Sequence, residues 1–489
     1  MTDILIFILL AVPGTVTALS LILRRGRVAE FLNLAGATVV LAAAIPLPAL
    51  AMEKTREWWQ GYLFLDPLGA WVVLCTAVVY FLASMYAVGY MRMLNQEHRL
   101  HWFYALLSAF AMTMLAAPLM NNIGIYWIAV ELTTLVSTFL VGFEHERESI
   151  EAAWKYIIVV SAGISLALLA TVVLYWAGTF TLGASYDMTW SVMRDAAAKM
   201  NPTLVNLAFL LALIGYGTKA GLAPMHTWLP DAHSEGPAPV SAMLSGALLN
   251  TAMLGIVRFL NISDAAGRGL VPHTMLVALG VFSLLVAALF ITRQTGIKRL
   301  MAYSSVEHIG VMAIGFGFGG PLGIAGALYH MLNHSLNKSV MFFGAGNVLR
   351  AFGTKKIGKI SHVWHRLPVV GTLWLLGAVA ITGAPPFGLF LSEITIMRSG
   401  LSGTNGWAVF VMALLLIVIF VGFLQHFIRM YFGDRRQAIR GDTARQTISV
   451  WCVTPMWLGL APVLILGLWW PAAIWNFFMV VARHLGGGL

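Results

Sequence analysis

Apolar residues in this chain do not alternate with polar ones. They run in long blocks, and the polar positions gather between the blocks. Fourteen blocks approach the roughly 20 residues that a helix needs to cross about 30 Å of hydrocarbon. They fall at 3–23, 29–50, 66–90, 102–120, 123–142, 155–178, 202–224, 237–259, 271–292, 301–319, 321–349, 368–397, 406–431 and 450–476. The pattern predicts an all-α polytopic membrane protein with 14 transmembrane helices. The longest connections, 179–201, 350–367 and 432–449, are too short to hold a soluble domain. Residues 1–489 are therefore read as one integral membrane domain. Helices 1–3 lie in 1–100, helices 4–8 in 101–260, helices 9–13 in 271–431, and helix 14 with a tail in 450–489.

Composition sharpens this picture. Of 489 residues, 59% are hydrophobic and 10% charged, against about 25% charged in ordinary soluble domains. So few charges cannot coat a water-soluble surface, and so apolar a chain is not disordered. Cys75 and Cys452 sit in separate apolar blocks. No C-x-x-C, disulfide framework or metal-type Cys/His spacing is present, so no cofactor or metal of the chain's own is expected. G-x-G-x-x-G and Walker loops are also missing. Redox or nucleotide chemistry would have to come from partner chains.

The net charge of +10 would suggest nucleic acid in a soluble protein. Here the placement of the basic residues carries the information, and no nucleic-acid partner is expected. Counting Lys155, Arg258 and Arg429, at the rims of their blocks, with the neighbouring loops, the loops after odd-numbered blocks hold 20 Lys and Arg; those after even-numbered blocks, with the termini, hold 8. Basic loops face the cytoplasm. This predicts a bacterial inner-membrane protein with both termini on the periplasmic side. The first block is not read as a cleaved signal, because Arg24, Arg25 and Arg27 follow it instead of preceding it.

Two lysines fall inside the blocks, Lys219 and Lys338, and several acids and histidines accompany them. An ionisable group at mid-membrane costs about 2.5–3.5 kcal/mol on insertion scales, so each needs a reason. Glu131 lies in the middle of span 5. It is a candidate proton-handling carboxyl, or a protonated one hydrogen-bonded to Thr134 one turn on. Lys219 stands five residues before Pro224, which cannot donate an amide and clashes with the carbonyl of Ala220. Helix 7 should break there, leaving polar backbone beside a lysine that either exchanges protons or forms a structural ion pair. In span 11, His330, Asn333, His334, Asn337 and Lys338 follow a helical spacing that reads as one polar stripe about 12 Å long. Such a stripe suggests a hydrated wire.

Glu307 and His308, early in span 10, are read equally as relay groups or as interface groups that snorkel or cap. Glu393 follows a second break, at Pro385 and Pro386 in helix 12, and suggests a pathway terminus. Lys155, at the start of span 6, is a secondary relay candidate that also has the reach to snorkel. Glu144, Glu146, Glu148 and Glu151 are read as a solvated acidic patch. Lys355, Lys356 and Lys359 are read as topology anchors or headgroup contacts. Trp58, Trp59, Trp469 and Trp470 are read as interface belts.

An internal repeat connects the two halves. Val130-Glu131 is echoed by Val306-Glu307. Gly221-x-x-Pro224 followed by Trp228-Leu-Pro-Asp231 is echoed by Gly383-x-x-Pro386 followed by Phe390-Leu-Ser-Glu393. The offset of five spans is odd, so matching helices would cross in opposite directions. That predicts two inverted five-helix repeats with broken helices 7 and 12.

These residues carry a resemblance. The run from Lys219 through Pro224, His226, Trp228-Leu-Pro-Asp231 and His233 to Gly236-Pro-x-Pro-Val-Ser241 resembles the signature of the antiporter-like, proton-translocating subunits. Respiratory complex I, Mrp-type antiporters and membrane-bound nickel–iron hydrogenases share that family. Lys298-Arg-Leu-Met-Ala-Tyr-Ser-Ser305, His334-x-x-x-Lys338 and Gly383-x-Pro-Pro386-x-Gly388 add to it. The stretches Ser305–Gly310 and Leu244–Asn250 look most like the hydrogenase-4 component F branch. The lack of a long extension after span 14 favours that branch or the M/N type of complex I over the L type. The resemblance implies Glu131 and Lys219 as a coupled carboxylate–lysine pair, Lys338 with His334 and His330 as a central relay, and Glu393 on the exit side. It implies further membrane subunits as partners, with a peripheral redox arm that is either hydrogenase-like or NADH dehydrogenase-like. Where the M type has a lysine in span 8, this chain has Asn250. A relay there must then run through water or His233.

Overall fold

The computed structural model describes residues 2–94, 97–267, 270–403, 405–433 and 446–486. The chain opens with α1 (Thr2–Leu23), α2 (Gly26–Ala44) and short α3 (Leu47–Glu53). An antiparallel hairpin of β1 (Arg56–Trp58) and β2 (Leu63–Leu65) follows. Then come α4 (Pro67–Arg92), α5 (Leu100–Ala116), α6 (Ile123–Val141), α7 (Arg147–Leu182) and α8 (Trp190–Ala196). The middle of the chain forms α9 (Pro202–Ala220), α10 (Leu229–Glu235), α11 (Ala238–Met243), α12 (Leu249–Ala265) and α13 (Leu270–Ile291). The remainder is α14 (Ile297–Phe318), α15 (Gly320–Phe352), α16 (Val363–Arg366), α17 (Pro368–Ile381), α18 (Gly388–Ser402), α19 (Gly406–Phe432), α20 (Val450–Leu468) and α21 (Ala472–His484).

Among the described residues, 11 helical stretches are long and apolar enough to cross a membrane. The other three expected spans coincide with α14, α15 and the α17–α18 pair. Their polarity or brevity has a physical origin. α14 carries Lys298, Arg299, Glu307 and His308, and α15 carries two histidines and a lysine. Both helices are buried along almost their whole length, so all of those groups except the exposed Arg299, at the basic end, face protein and not lipid. α17 and α18 are two short pieces on either side of a break. The lipid-type surface is supplied by other helices, through residues such as Phe7, Ile22, Phe139, Ile158 and Phe410.

Contacts define two ends of the bundle. At the basic end, Arg27 pairs with Glu97, Arg350 with Glu144 and Lys355 with Glu235, while Ile297 N–H donates to the Lys355 carbonyl. At the opposite end, Arg258 is buried between the rings of Phe64 and Trp190. It donates to Asp66 at 3.0 Å and to the Pro118 carbonyl. Asp66 also caps α4 by accepting from Gly69 N–H, so one carboxylate ties α4, α12 and the approach to α6 together.

Several surface expectations need correction. Glu144 and Glu151 are not simply solvated, since each is ion-paired, with Arg350 and Lys155 respectively. Lys355 is a clamp onto Glu235. Trp470 stacks on Tyr329, with ring centroids 4.1 Å apart, and so packs against protein on at least one face. Charged side chains beside an oppositely charged neighbour pair instead of hydrating separately, and an aromatic at a helix end packs on any ring within reach.

Candidate functional site: a buried axis of lysines, carboxylates and histidines

α9 ends at Ala220 because Gly221 takes the left-handed conformation (φ 80°) and Pro224 follows. This is the break expected from the sequence. The freed backbone is not left bare. Trp228 Nε1–H donates to the Thr218 carbonyl at 2.7 Å, and Ala223 N–H donates to Ser283 Oγ at 2.9 Å.

The last turn of α9 holds Lys219 fully buried. Its ammonium donates to the hydroxyl of Thr134 on α6 and reaches the Tyr156 hydroxyl on α7 at 3.5 Å. Thr134 is also hydrogen-bonded to Glu131, at 3.4 Å, and Glu131 accepts from Ser161 Oγ at 2.7 Å. Glu131 is the carboxylate whose charge Lys219 feels. The two are joined through one hydroxyl, not by a direct ion pair. Tyr156 continues the chain to Ser137 at 2.8 Å. Glu131 itself is only half-buried, at the α6–α7 seam.

The second cluster is built by α14, α15 and α18. Lys338 is fully buried and donates to the Met301 carbonyl at 2.9 Å. The carboxylate it feels is Glu307. Glu307 and His308 are buried, at 2% and 0% exposure, so the interface reading of these two residues is excluded. The imidazoles of His308 and His330 face each other, Nδ1 to Nε2, at 3.0 Å, and His330 Nδ1 meets Ser392 Oγ at 2.9 Å. His334 lies alongside, with its ring centroid 5.2 Å from that of His308. Glu393 completes the group, its carboxylate within 4.8 Å of both His308 and His330.

The expected five-residue stripe on α15 divides. His330 meets His308, and Lys338 meets the α14 backbone. Asn337 donates to the Gly377 carbonyl of α17 at 3.1 Å, and Asn333 turns toward Gly388 at the start of α18. At 3.6 residues per turn these five positions span about 140° of helix surface. That is wide enough to face two neighbouring helices.

Asn250 lies between the clusters. A π-helical stretch, Leu244–Leu248, precedes it. The Gly246 carbonyl in that stretch accepts from both Asn250 Nδ2 and Ser335 Oγ, and Asn250 also donates to Ser335. His233 on α10 is fully buried and sits against Phe342, with both ring nitrogens free of partners among the described residues. Its nearest charges are Lys338 and Lys298. Lys155 belongs elsewhere. It is about half exposed at the basic end, paired with Glu151 at 2.6 Å and Asp231 at 3.4 Å, and Asp231 also binds Arg299.

Sequence reading did not find Ser161, Tyr156, Ser392, Ser335 or the buried Lys298, which donates to the Gly236 carbonyl at 2.6 Å. Hydroxyls in apolar helices usually bond back to their own backbone, so they give no positional signal. Lys298 sits in the short basic connection between the blocks 271–292 and 301–319, where a lysine looks like a topology marker.

A helical membrane bundle with two fully buried lysines, one bridged to a carboxylate through a hydroxyl and one packed against a helix that carries another, has the features of an antiporter-like membrane subunit of the kind found in complex I, Mrp and hydrogenase-type complexes. The family described as NADH:quinone oxidoreductase/Mrp antiporter, TM, matches residues 120–420, and the chain belongs to it. A hydrogenase-4 component F homolog of Methylacidiphilum infernorum is 39% identical over 345 residues, covering 69% of this chain and 72% of that protein. Hydrogenase-4 component B of Escherichia coli is 30% identical over 371 residues, covering 73% of this chain and 52% of the relative, so the chain spans about half of that longer protein. A chain in the structure of the Mrp complex from Dietzia sp. superposes with a TM-score of 0.86 at 20% identity, covering 99% of this chain and 97% of the other. At that identity the likeness is one of fold.

Proposed function

We propose that this chain is the proton-translocating membrane subunit of a multisubunit, redox-driven complex, most like a hydrogenase-4 or formate-hydrogenlyase assembly. The reading takes α14, α15 and the α17–α18 pair as crossing helices, giving 14 spans in a bacterial inner membrane. Both termini lie on the periplasmic side, and the broken helices α9–α10 and α17–α18 are counterparts in two inverted repeats. The partners are other membrane subunits and a peripheral redox arm. The observation that carries the proposal is that each half buries one lysine completely: Lys219, bridged to Glu131 through Thr134, and Lys338, bonded to the backbone of the α14 helix that also carries Glu307.

Redox chemistry in the partner subunits perturbs the field at Glu131. Its charge favours the charged form of Lys219; weakening that influence favours proton release toward the centre. Two unit charges about 6 Å apart at an effective dielectric of 20 interact by about 3 kcal/mol. Moving one proton against 100 mV costs about 2.3 kcal/mol, so the magnitudes match. The proton then passes water and polar groups around Asn250 and His233, the Lys338–His334–His330 group with Glu307 and His308, and Glu393.

The test is proton uptake by the purified complex in proteoliposomes. Lys219→Met and Glu131→Gln should leave assembly intact and abolish coupled pumping; full pumping in either refutes the pair. A second reading, a Mrp-type sodium/proton antiporter subunit, is favoured by 30% identity over 365 residues to a Na(+)/H(+) antiporter subunit A1 of Staphylococcus aureus, of which the chain covers 44%. It predicts sodium-dependent transport without any redox partner. An M/N-type complex I subunit would copurify with NADH-binding subunits instead of a nickel–iron subunit.

A further inference from the structure

The sequence offers no metal-type spacing, yet folding brings two imidazoles and a carboxylate together from three helices. His308 of α14, His330 of α15 and Glu393 of α18 place ligating atoms within 4.8 Å of one another, all buried. Two histidines and one carboxylate, with a fourth position open, is a donor set that zinc takes in proteins.

Three details favour a bound ion over mere proximity. First, His308 Nδ1 and His330 Nε2 already face each other at 3.0 Å. Two nitrogens on a tetrahedral zinc, each at about 2.0–2.1 Å from it, stand about 3.3 Å apart, so a small opening admits the ion. Second, the outer nitrogen of His330 is held by Ser392 Oγ at 2.9 Å, the support that fixes a ligating imidazole's tautomer and orientation. Third, polar atoms around the node lack partners among the described residues: Glu393 Oε1, His308 Nε2 and both nitrogens of His334. Buried polar atoms normally have partners, so such a concentration invites a ligand. His334 stands where it can supply the fourth donor. The Glu393 carboxylate lies directly beneath the backbone of Gly383, in a break whose Pro385 and Pro386 are exposed.

We propose that His308, His330 and Glu393 form a binding site for one divalent ion of the zinc class, with His334 as the nearest further donor. An ion held there occupies the gap between the two imidazoles and excludes a proton shared across it. The same three side chains lie on the proposed proton route, so an occupied site would block that route; the binding test below reads the ion directly and does not depend on transport.

The test is titration of the purified full-length chain in detergent with Zn2+ against a chromophoric chelator, together with zinc-edge absorption spectroscopy. One tightly held ion per chain is expected, with two imidazoles in its first shell. His308→Asn and Glu393→Gln should each weaken binding at least about tenfold, a loss that even outer-shell changes produce at zinc sites. His273→Ala alters the separate pairing with Asp264 (3.0 Å) at the opposite end of the bundle and should change nothing. Variants are accepted when they elute as a single species like the parent. The proposal is overturned if no stoichiometric zinc binds, if His273→Ala removes it, if the node variants leave affinity unchanged, or if the spectrum of the parent chain shows fewer than two imidazoles.

Discussion

Glu131 and Lys219 meet through the hydroxyl of Thr134. One side chain, neither acid nor base, therefore sets how strongly the two charges feel each other. Thr134→Val keeps the volume and removes the bridge, leaving the buried ammonium only its long 3.5 Å contact with the Tyr156 hydroxyl, at a cost of about 1–3 kcal/mol. Proton uptake in proteoliposomes should fall roughly tenfold, since 1.4 kcal/mol is a factor of ten, and Thr134→Ser should retain most of it. Unchanged uptake in the valine variant would show that the bridge is incidental.

Glu307 and Lys155 make opposite predictions. Glu307→Gln removes the carboxylate that Lys338 feels and should abolish pumping while subunit assembly, read by gel filtration, persists. Lys155→Gln removes one member of a solvent-screened ion network and should leave the thermal midpoint close to that of the parent, with pumping close to the parent. If the Lys155 variant pumps poorly and the Glu307 variant pumps well, the assignment of the second half is wrong.

Arg258 is 5% exposed and bound to Asp66, the Pro118 carbonyl and two aromatic faces. Removing one partner of a buried pair strands the other, typically at about 3–5 kcal/mol. Arg258→Met should lower the thermal midpoint of the detergent-purified chain well below that of the parent. Arg258→Lys should not restore it, because an ammonium has no planar fork to serve carboxylate, carbonyl and ring together.

Gly383 has φ 67° and lies over the Glu393 carboxylate. Gly383→Ala introduces about 1–2 kcal/mol of backbone strain and drives a methyl group into that carboxylate. Thermal unfolding should register the first effect, and a displaced Glu393 in a structure of the variant should register the second.

Much of the helical frame was legible in the sequence, because crossing hydrocarbon leaves long apolar blocks. The breaks at Pro224 and at Pro385 and Pro386 were legible too, since proline cannot sustain a helix interior. Less visible was anything set by contacts between distant helices. The π stretch Leu244–Leu248 has no marker residue. The facing of His308 and His330 joins positions 22 residues apart on different helices. The even choice at Glu307 arose because block position resembles membrane depth, whereas burial depends on what surrounds α14. Lys155 follows its snorkelling alternative for a related reason: α7 begins at Arg147, about two turns earlier than its apolar block, and the lysine lies at the basic end.

The half-exposed position of Glu131 has a consequence for how such a protein can be commanded. Around it, α6 presents Ile128, Leu132, Leu135 and Phe139 outward, a smooth wall with one acidic spot. Under the proposed function, a neighbouring subunit that brought a charge to that wall, or withdrew one, would act on Glu131 without first crossing the buried interior.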